Sequence, residues 1–352
     1  MFMSALRMAV IGVGALGRHH ARIVSQIPDV ELIAVADPSE VQGRQVAESA
    51  GTKWVADYRT LIDEVDAVTI AVPTGFHFAV ASSFLENGIH SLVEKPLAAD
   101  LAEAMQLVQL AELTGAILQV GHVERFNPAF QAVAKLCDQP RYIRAERLSP
   151  FSFRSTDIGV VHDMMIHDLD LVLSLVDSPV VRVEAIGMAL MGPHEDTVQA
   201  RLTFENGCVA DLSASRVHPT TRRAATIWTA TRCLDVDFGS REVTAYSPSV
   251  RLLHGMSPVE RARQPGANID QLKQEVFGSL IEVRKEVPAA RDALTAEITE
   301  FVDCIRSSGS PTVTGSIAVQ VLTVAERILG VLASQQPIQE TAPSVGSHRR
   351  AA

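Results

Sequence analysis

The stretch Met8-Ala9-Val10-Ile11-Gly12-Val13-Gly14-Ala15-Leu16-Gly17-Arg18 decides the fold. Met8 to Gly12 reads as a short apolar strand and Arg18 to Gln26 as a helix, so the GxGxxG run stands at a strand-to-helix turn. The string alone carries little information; at that junction each glycine has a task. Gly12 permits the tight turn, Gly14 lets the backbone approach a pyrophosphate, and Gly17 allows close helix packing, with Ala15 and Leu16 completing the loop. The helix N-terminus behind it offers amide donors and partial positive charge to phosphates. Asp37 closes the next apolar strand, Glu31 to Asp37, 20 residues past Gly17. A carboxylate there accepts hydrogen bonds from ribose hydroxyls and repels a 2'-phosphate, and no Arg follows directly in Asp37-Pro38-Ser39. The pattern predicts NAD in preference to NADP.

Outward from this turn the strand–helix alternation continues. Helices are expected near Ser39–Ala50, Tyr58–Ile62, Phe76–Asn87 and Leu101–Thr114, and strands at Trp54–Val55, Ala67–Val72, Ser91–Glu94 and Ile117–Gly121. That rhythm predicts an α/β fold, a doubly wound parallel Rossmann sheet over residues 1–122. From Tyr142 the pattern changes to runs of β-branched residues broken by turns, with Phe204-Glu205-Asn206-Gly207-Cys208 as a hairpin. Seven strands between Tyr142 and Tyr246, a helix over Val160–Val176 and two late helices, Ala296–Ser307 and Ile317–Ala333, predict an α+β second domain. It spans 123–336 and holds a large, mostly antiparallel open sheet. Residues 337–352 read as a loose polar tail.

At 352 residues the chain exceeds the usual size of a single core. Its net charge of -10 argues against nucleic-acid binding, which needs a cationic surface. Cys137, Cys208, Cys233 and Cys304 lack zinc-ligand or CxxC spacing, as expected of thiols in a reducing compartment. No apolar stretch approaches the about 18 residues of a membrane span, and Met1 to Arg7 lacks the apolar core of a signal peptide. A cytoplasmic protein is expected, with no membrane partner. No metal is expected either: i, i+4 donors on one helix lack an obvious third ligand.

Four strings follow the glycine turn: Val72-Pro73-Thr74-Gly75-Phe76-His77, Glu94-Lys95-Pro96, Gly121-His122-Val123-Glu124-Arg125-Phe126-Asn127-Pro128, and His162-Asp163-Met164-Met165-Ile166-His167-Asp168-Leu169-Asp170. As an ordered set they resemble the Gfo/Idh/MocA oxidoreductase family over residues 8–333. The resemblance implies that Lys95, Asp163 and His167 surround the nicotinamide and the reacting carbinol. The combination of the last two strings looks most like the bacterial branch that oxidises UDP-N-acetylglucosamine at C3 for diamino-sugar lipid A synthesis. Its product would be a 3-keto nucleotide sugar passed to a pyridoxal phosphate aminotransferase. Many relatives carry a glycine-rich run before this aspartate and a glycine two residues after it; here Gly159-Val160-Val161-His162 and Met165 make a bulkier pocket floor.

The chemistry of the residues agrees. Oxidising a secondary alcohol removes the hydroxyl proton as hydride leaves the same carbon, so a base must sit within reach of the oxygen. Histidine suits that task, and Asp163 and His167, four apart on a helix, project from one face. Lys95 ends a parallel strand, where open α/β sheets bind ligands, and a cation there orients the hydroxyl and stabilises negative charge on oxygen. His167 is favoured as base, with Lys95 as polariser and relay. Val72, Pro73, Thr74, His77, Glu94 and Lys95 are expected along the cofactor, although His77 suits a capping or packing role equally. Arg125, Asn127, Arg154 and His162 are candidate substrate contacts; Arg125 could instead pair with an acid inside the fold. Two alternatives stand beside the nucleotide-sugar dehydrogenase: an inositol or free-sugar dehydrogenase, and a non-catalytic NAD-binding regulator. Sheet-to-sheet pairing into a homodimer or homotetramer is expected to cover the open sheet.

Overall fold

The apolar runs of the first third are buried on both faces, as a parallel sheet between helices requires. The computed structural model describes residues 5–153, 155–288 and 291–335. The first sheet comprises β1 (Leu6–Ile11), β2 (Val30–Ala36), β3 (Lys53–Val55), β4 (Ala67–Ile70), β5 (His90–Glu94) and β6 (Leu118–Gly121). Every pairing is parallel, in the order β3-β2-β1-β4-β5-β6. The order reverses direction between β1 and β4, and a crevice opens at such a switch point beyond the carboxyl ends of the strands.

The second sheet comprises β7 (Tyr142–Leu148), β8 (Val180–Met188), β9 (Thr197–Phe204), β10 (Val209–Ser215), β11 (Arg222–Trp228), β12 (Cys233–Asp237), β13 (Glu242–Pro248) and β14 (Ile281–Glu286). Its order is β14-β13-β12-β11-β7-β10-β9-β8, antiparallel except for the β7–β10 pair. Alternation decides the faces. In β9 Val198, Ala200, Leu202 and Phe204 are buried while Gln199 and Arg201 are exposed. The buried face packs on the helices Ile166–Val176 and Gly315–Ser334. The opposite face carries a polar ladder in which Arg201 pairs with Asp211 and both Arg144 and Arg222 pair with Glu146. The expected hairpin is present between β9 and β10, with Gly207 at φ 82°.

Three features depart from the sequence expectations. β14 was not anticipated: Ile-Glu-Val-Arg-Lys-Glu is an edge strand, and its charges mask the alternation. The short helices Val250–His254, Pro258–Ala262 and Ile269–Glu275 carry too few turns to show a period, although each has a capping Ser or Asn before it. Helix Gly315–Ser334 does reach the length and apolar character of a membrane span, with mean hydropathy 1.6. Its buried Val321, Leu322, Val324, Ala325 and Ile328 pack in the protein core, and Arg327 donates to the Val180 carbonyl at 2.7 Å. The preceding helix, Ala293–Ser307, returns to the first sheet, where Ile298, Phe301 and Val302 pack with Met8, Val10 and Leu92. The expected tail 337–352 lies outside the described residues, as does Arg154.

Candidate active site

The glycine turn has the geometry its chemistry requires. Gly12 lies at φ 81°, and a Cβ there would meet the Val72 side chain at 2.8 Å and the Ala71 backbone at 2.9 Å. A Cβ on Gly17 would lie 1.9 Å from the Gly12 carbonyl oxygen. Gly14 has nothing within 4 Å of that position, so its backbone is open on the side from which a pyrophosphate approaches. Ala15 and Leu16 form the exposed lip ahead of helix Gly17–Val24. Asp37 braces the turn: one carboxylate oxygen accepts from the Val13 amide at 2.9 Å and the other from the Ser39 amide at 2.8 Å. Gln42 donates to the Val13 carbonyl at 2.7 Å. A cleft of about 670 Å³ beside them is lined by Val13, Arg18, His19, Ser39 and Gln42. An open glycine, a rim carboxylate and a cationic cleft wall fit the phosphates and ribose of NAD.

Beyond β4, Val72, Pro73 and Thr74 lead into the short turn Thr74–Phe76. His77 is 1% exposed, and its ring nitrogens lie 2.8 Å from the Pro96 carbonyl and 2.9 Å from that of Val72. It therefore splices two loops together; of its two expected roles this is the packing one. Glu94, expected along the cofactor, is instead turned into the fold. His20 Nε2 lies 3.0 Å from its carboxylate, and a Cβ on Gly121 would touch that same carboxylate at 2.9 Å.

Lys95 reaches the other way, across to the second half of the chain. Its Nζ donates to the Asp163 carbonyl at 2.7 Å and lies 3.5 Å from Asp163 Oδ1. Burial lowers its pKa, against the opposing pull of Asp163 and Glu94. Asp163 sits on a π-helical turn, Val161–Met165, that runs straight into helix Ile166–Val176; widened turns of this kind recur at functional sites. Glu195 holds the start of this turn, accepting from the Val160 amide through its carbonyl at 3.0 Å and from the Val161 amide through its carboxylate at 3.1 Å. Gly159 leaves room for that carboxylate, which a Cβ would overlap at 2.0 Å. His167 follows one turn later. Burial first, then the charges of Lys95 and Arg147, push its pKa well below 6.5, so the imidazole is neutral at neutral pH.

Three candidate substrate contacts have partners within the fold. Arg125 makes a two-pronged ion pair with the fully buried Asp170 at 2.6 and 2.9 Å. Asn127 caps helix Pro128–Leu136, accepting from Ala129, and donates to Glu124 and to the Phe238 carbonyl. His162 lies 3.0 Å from Glu326 on the late helix. Arg147 went unnoticed in the sequence. It bridges Glu124 at 2.9 Å and Asp168 at 2.8 Å, and the signal was available: it occupies the buried parity of β7 behind Ile143 and Ala145. Glu297 was also missed. It is wholly buried, neither carboxylate oxygen has a hydrogen-bond partner among the described residues, and burial followed by Glu94, Glu300 and Asp170 drives its pKa well above 4.5.

A nucleotide-binding turn on one sheet facing a lysine, a carboxylate and a neutral imidazole drawn from both halves of the chain defines an NAD-binding oxidoreductase. The chain belongs to the Gfo/Idh/MocA oxidoreductase family: residues 6–122 match its NAD-binding Rossmann fold and residues 137–232 its C-terminal domain. It is 37% identical over 304 residues to UDP-N-acetylglucosamine 3-dehydrogenase of Acidithiobacillus ferrooxidans, covering 86% of this chain and 90% of that protein. To scyllo-inositol 2-dehydrogenase (NAD(+)) of Bacillus subtilis it is 34% identical, covering 61% and 68%. The solved structure of UDP-N-acetylglucosamine 3-dehydrogenase GnnA from A. ferrooxidans superposes with a TM-score of 0.82 at 35% identity, covering 94% of this chain and 98% of that one.

Proposed function

We propose that the protein oxidises the C3 hydroxyl of UDP-N-acetylglucosamine to the 3-keto nucleotide sugar, with Lys95, Asp163 and His167 as its catalytic residues. The observation that carries the chemistry is the 2.7 Å contact from Lys95 Nζ to Asp163, which joins a strand end of the nucleotide-binding sheet to the helix bearing His167. NAD, held by Gly12, Gly14, Ala15, Leu16, Gly17 and Asp37, supplies the hydride acceptor when bound. His167 takes the hydroxyl proton, as a neutral imidazole can. Lys95 donates to the same oxygen and stabilises the charge that develops on it. Asp163 holds the ammonium in place through its carbonyl and carboxylate.

The choice of nucleotide sugar rests on the relative that matches across most of the chain. The inositol reading is supported by a relative that covers less of it. In this account the product is a ketone suited to transamination on the way to a diamino-sugar lipid A, the reaction is cytoplasmic, and a second copy covers the polar sheet face. NADH absorbance during incubation with NAD and either UDP-N-acetylglucosamine or a panel of free polyols tests the reading. Turnover of the nucleotide sugar is expected; turnover of polyols alone refutes it.

A further inference from the structure

An anionic substrate in a protein of net charge -10 needs a local cation. Three arginines of the second half of the site and its sheet are committed elsewhere: Arg125 to Asp170, Arg147 to Glu124 and Asp168, and Arg216, which follows β10, to Asp196. Arg223 is different. In the antiparallel register of β11 on β7 it stands directly opposite Arg147, and it shares the parity of the buried Ala225 and Ile227. It therefore belongs to the face of the sheet that packs on the catalytic helix, at the end where Arg147 holds Asp168. Its neighbour Arg222 has the opposite parity and pairs with Glu146 on the outer face, whereas Arg223 forms no ion pair among the described residues and is exposed. Its charge is nonetheless felt by His167, Asp168 and Glu124. The result is a guanidinium with no ion pair among the described residues, on the sheet face that packs on the helix bearing His167.

We infer that Arg223 binds the diphosphate of the nucleotide-sugar substrate and is the residue that selects it over a free sugar. The inference rests on the nucleotide-sugar reading above. A guanidinium presents paired donors that match phosphate oxygens two at a time. Its place opposite Arg147, on the sheet face that meets the helix bearing His167, suits a pyranose whose C3 faces His167 and Lys95 while its anomeric carbon leads toward the sheet.

The test uses the full-length protein with Arg223→Gln and Arg223→Lys, and Arg222→Gln as an outward-facing control. The measurements are KM for UDP-N-acetylglucosamine, calorimetric Kd for UDP alone and for NAD, and the melting temperature. For Arg223→Gln the KM and the UDP Kd are expected to rise about tenfold or more, an effect of about 1.4 kcal/mol, with NAD affinity and melting temperature retained. Arg223→Lys is expected to fall between, and Arg222→Gln to match the wild type. Raised ionic strength is expected to weaken UDP binding to the wild type more than to Arg223→Gln. If the wild type binds UDP and turns over the nucleotide sugar but Arg223→Gln changes neither constant by more than about twofold, well short of the expected 1.4 kcal/mol, the role of Arg223 is overturned and the function stands. If the wild type ignores UDP and its sugar while oxidising polyols, the function fails and the inference goes with it.

Discussion

Two glycines of the same turn are expected to fail in different ways when replaced by alanine. In Gly17→Ala the new methyl would lie 1.9 Å from the Gly12 carbonyl oxygen, a backbone atom that no side-chain rotation can move. The helix Gly17–Val24 must shift off the turn, at an overpacking cost of about 1–3 kcal/mol. At about 2–4 °C per kcal/mol for a chain of this size, the ligand-free melting temperature drops by about 2–12 °C. In Gly14→Ala the methyl meets nothing within 4 Å, so ligand-free stability stays within about 0.5 kcal/mol. That methyl occupies the open side of the loop, where the pyrophosphate must come close, so NAD affinity falls at least about tenfold, or 1.4 kcal/mol. Differential scanning fluorimetry without ligand and calorimetric titration with NAD separate the two effects. At about 100 times Kd, NAD adds about 2.7 kcal/mol to the wild type, and a tenfold loss of affinity cuts that gain to about 1.4 kcal/mol in Gly14→Ala at the same concentration. A Gly17→Ala protein that melts with the wild type, or a Gly14→Ala protein that binds NAD as tightly, refutes the reading of this turn as a pyrophosphate cradle.

Lys95→Met is expected to lower kcat by about a hundred- to ten-thousand-fold, the range for loss of a positioned proton-transfer group. Its melting temperature should hold or rise, because a desolvated ammonium leaves with it; a kcat loss below about tenfold would remove Lys95 from the chemistry. Glu297 predicts a pH dependence of stability. Its folded pKa is raised above 4.5 by burial and then by Glu94, Glu300 and Asp170, so above that pH the folded state binds more protons than the unfolded one. Its contribution is full below 4.5 and is lost as pH rises toward the folded value, by up to about 1.4 kcal/mol per pH unit. Glu297→Gln removes the titration, so its melting temperature should gain on the wild type as pH rises above 4.5; parallel curves over that rise would show that Glu297 titrates alike in both states.

The parts of this molecule that were legible in the sequence are those written in local periods. The glycine turn, the six parallel strands and the seven strands from β7 to β13 announce themselves through apolar runs, alternation and turn residues within windows shorter than a dozen positions. Lys95, Asp163 and His167 were singled out through motifs, and the fold brings the first two into contact. For Arg125 the sequence left two readings open, a substrate contact or a pair with a buried acid, and for Asn127 it gave a substrate contact, because the partners that occupy them lie far off in the chain: Asp170 stands 45 residues from Arg125, and the Phe238 carbonyl 111 from Asn127. An unpaired Arg and a buried, paired one look alike until the acid is located.

What those residues do instead explains why the site comes together at all. The loop after β6 carries Glu124 and Arg125, and helix Ile166–Val176 carries Asp168 and Asp170. Arg125 joins Asp170 directly, and Arg147 of β7 joins Glu124 to Asp168, so two linkages of alternating charge run from the nucleotide-binding sheet to helix Ile166–Val176. Such pairs add little net stability compared with well-packed apolar groups, yet breaking one partner is costly because it leaves a buried charge alone. Their directional fit admits one seating of the helix against the strand ends, which is what holds the Asp163 carbonyl 2.7 Å from the Lys95 ammonium. Arg125 thus bears on the Lys95–Asp163 contact through the helix it anchors.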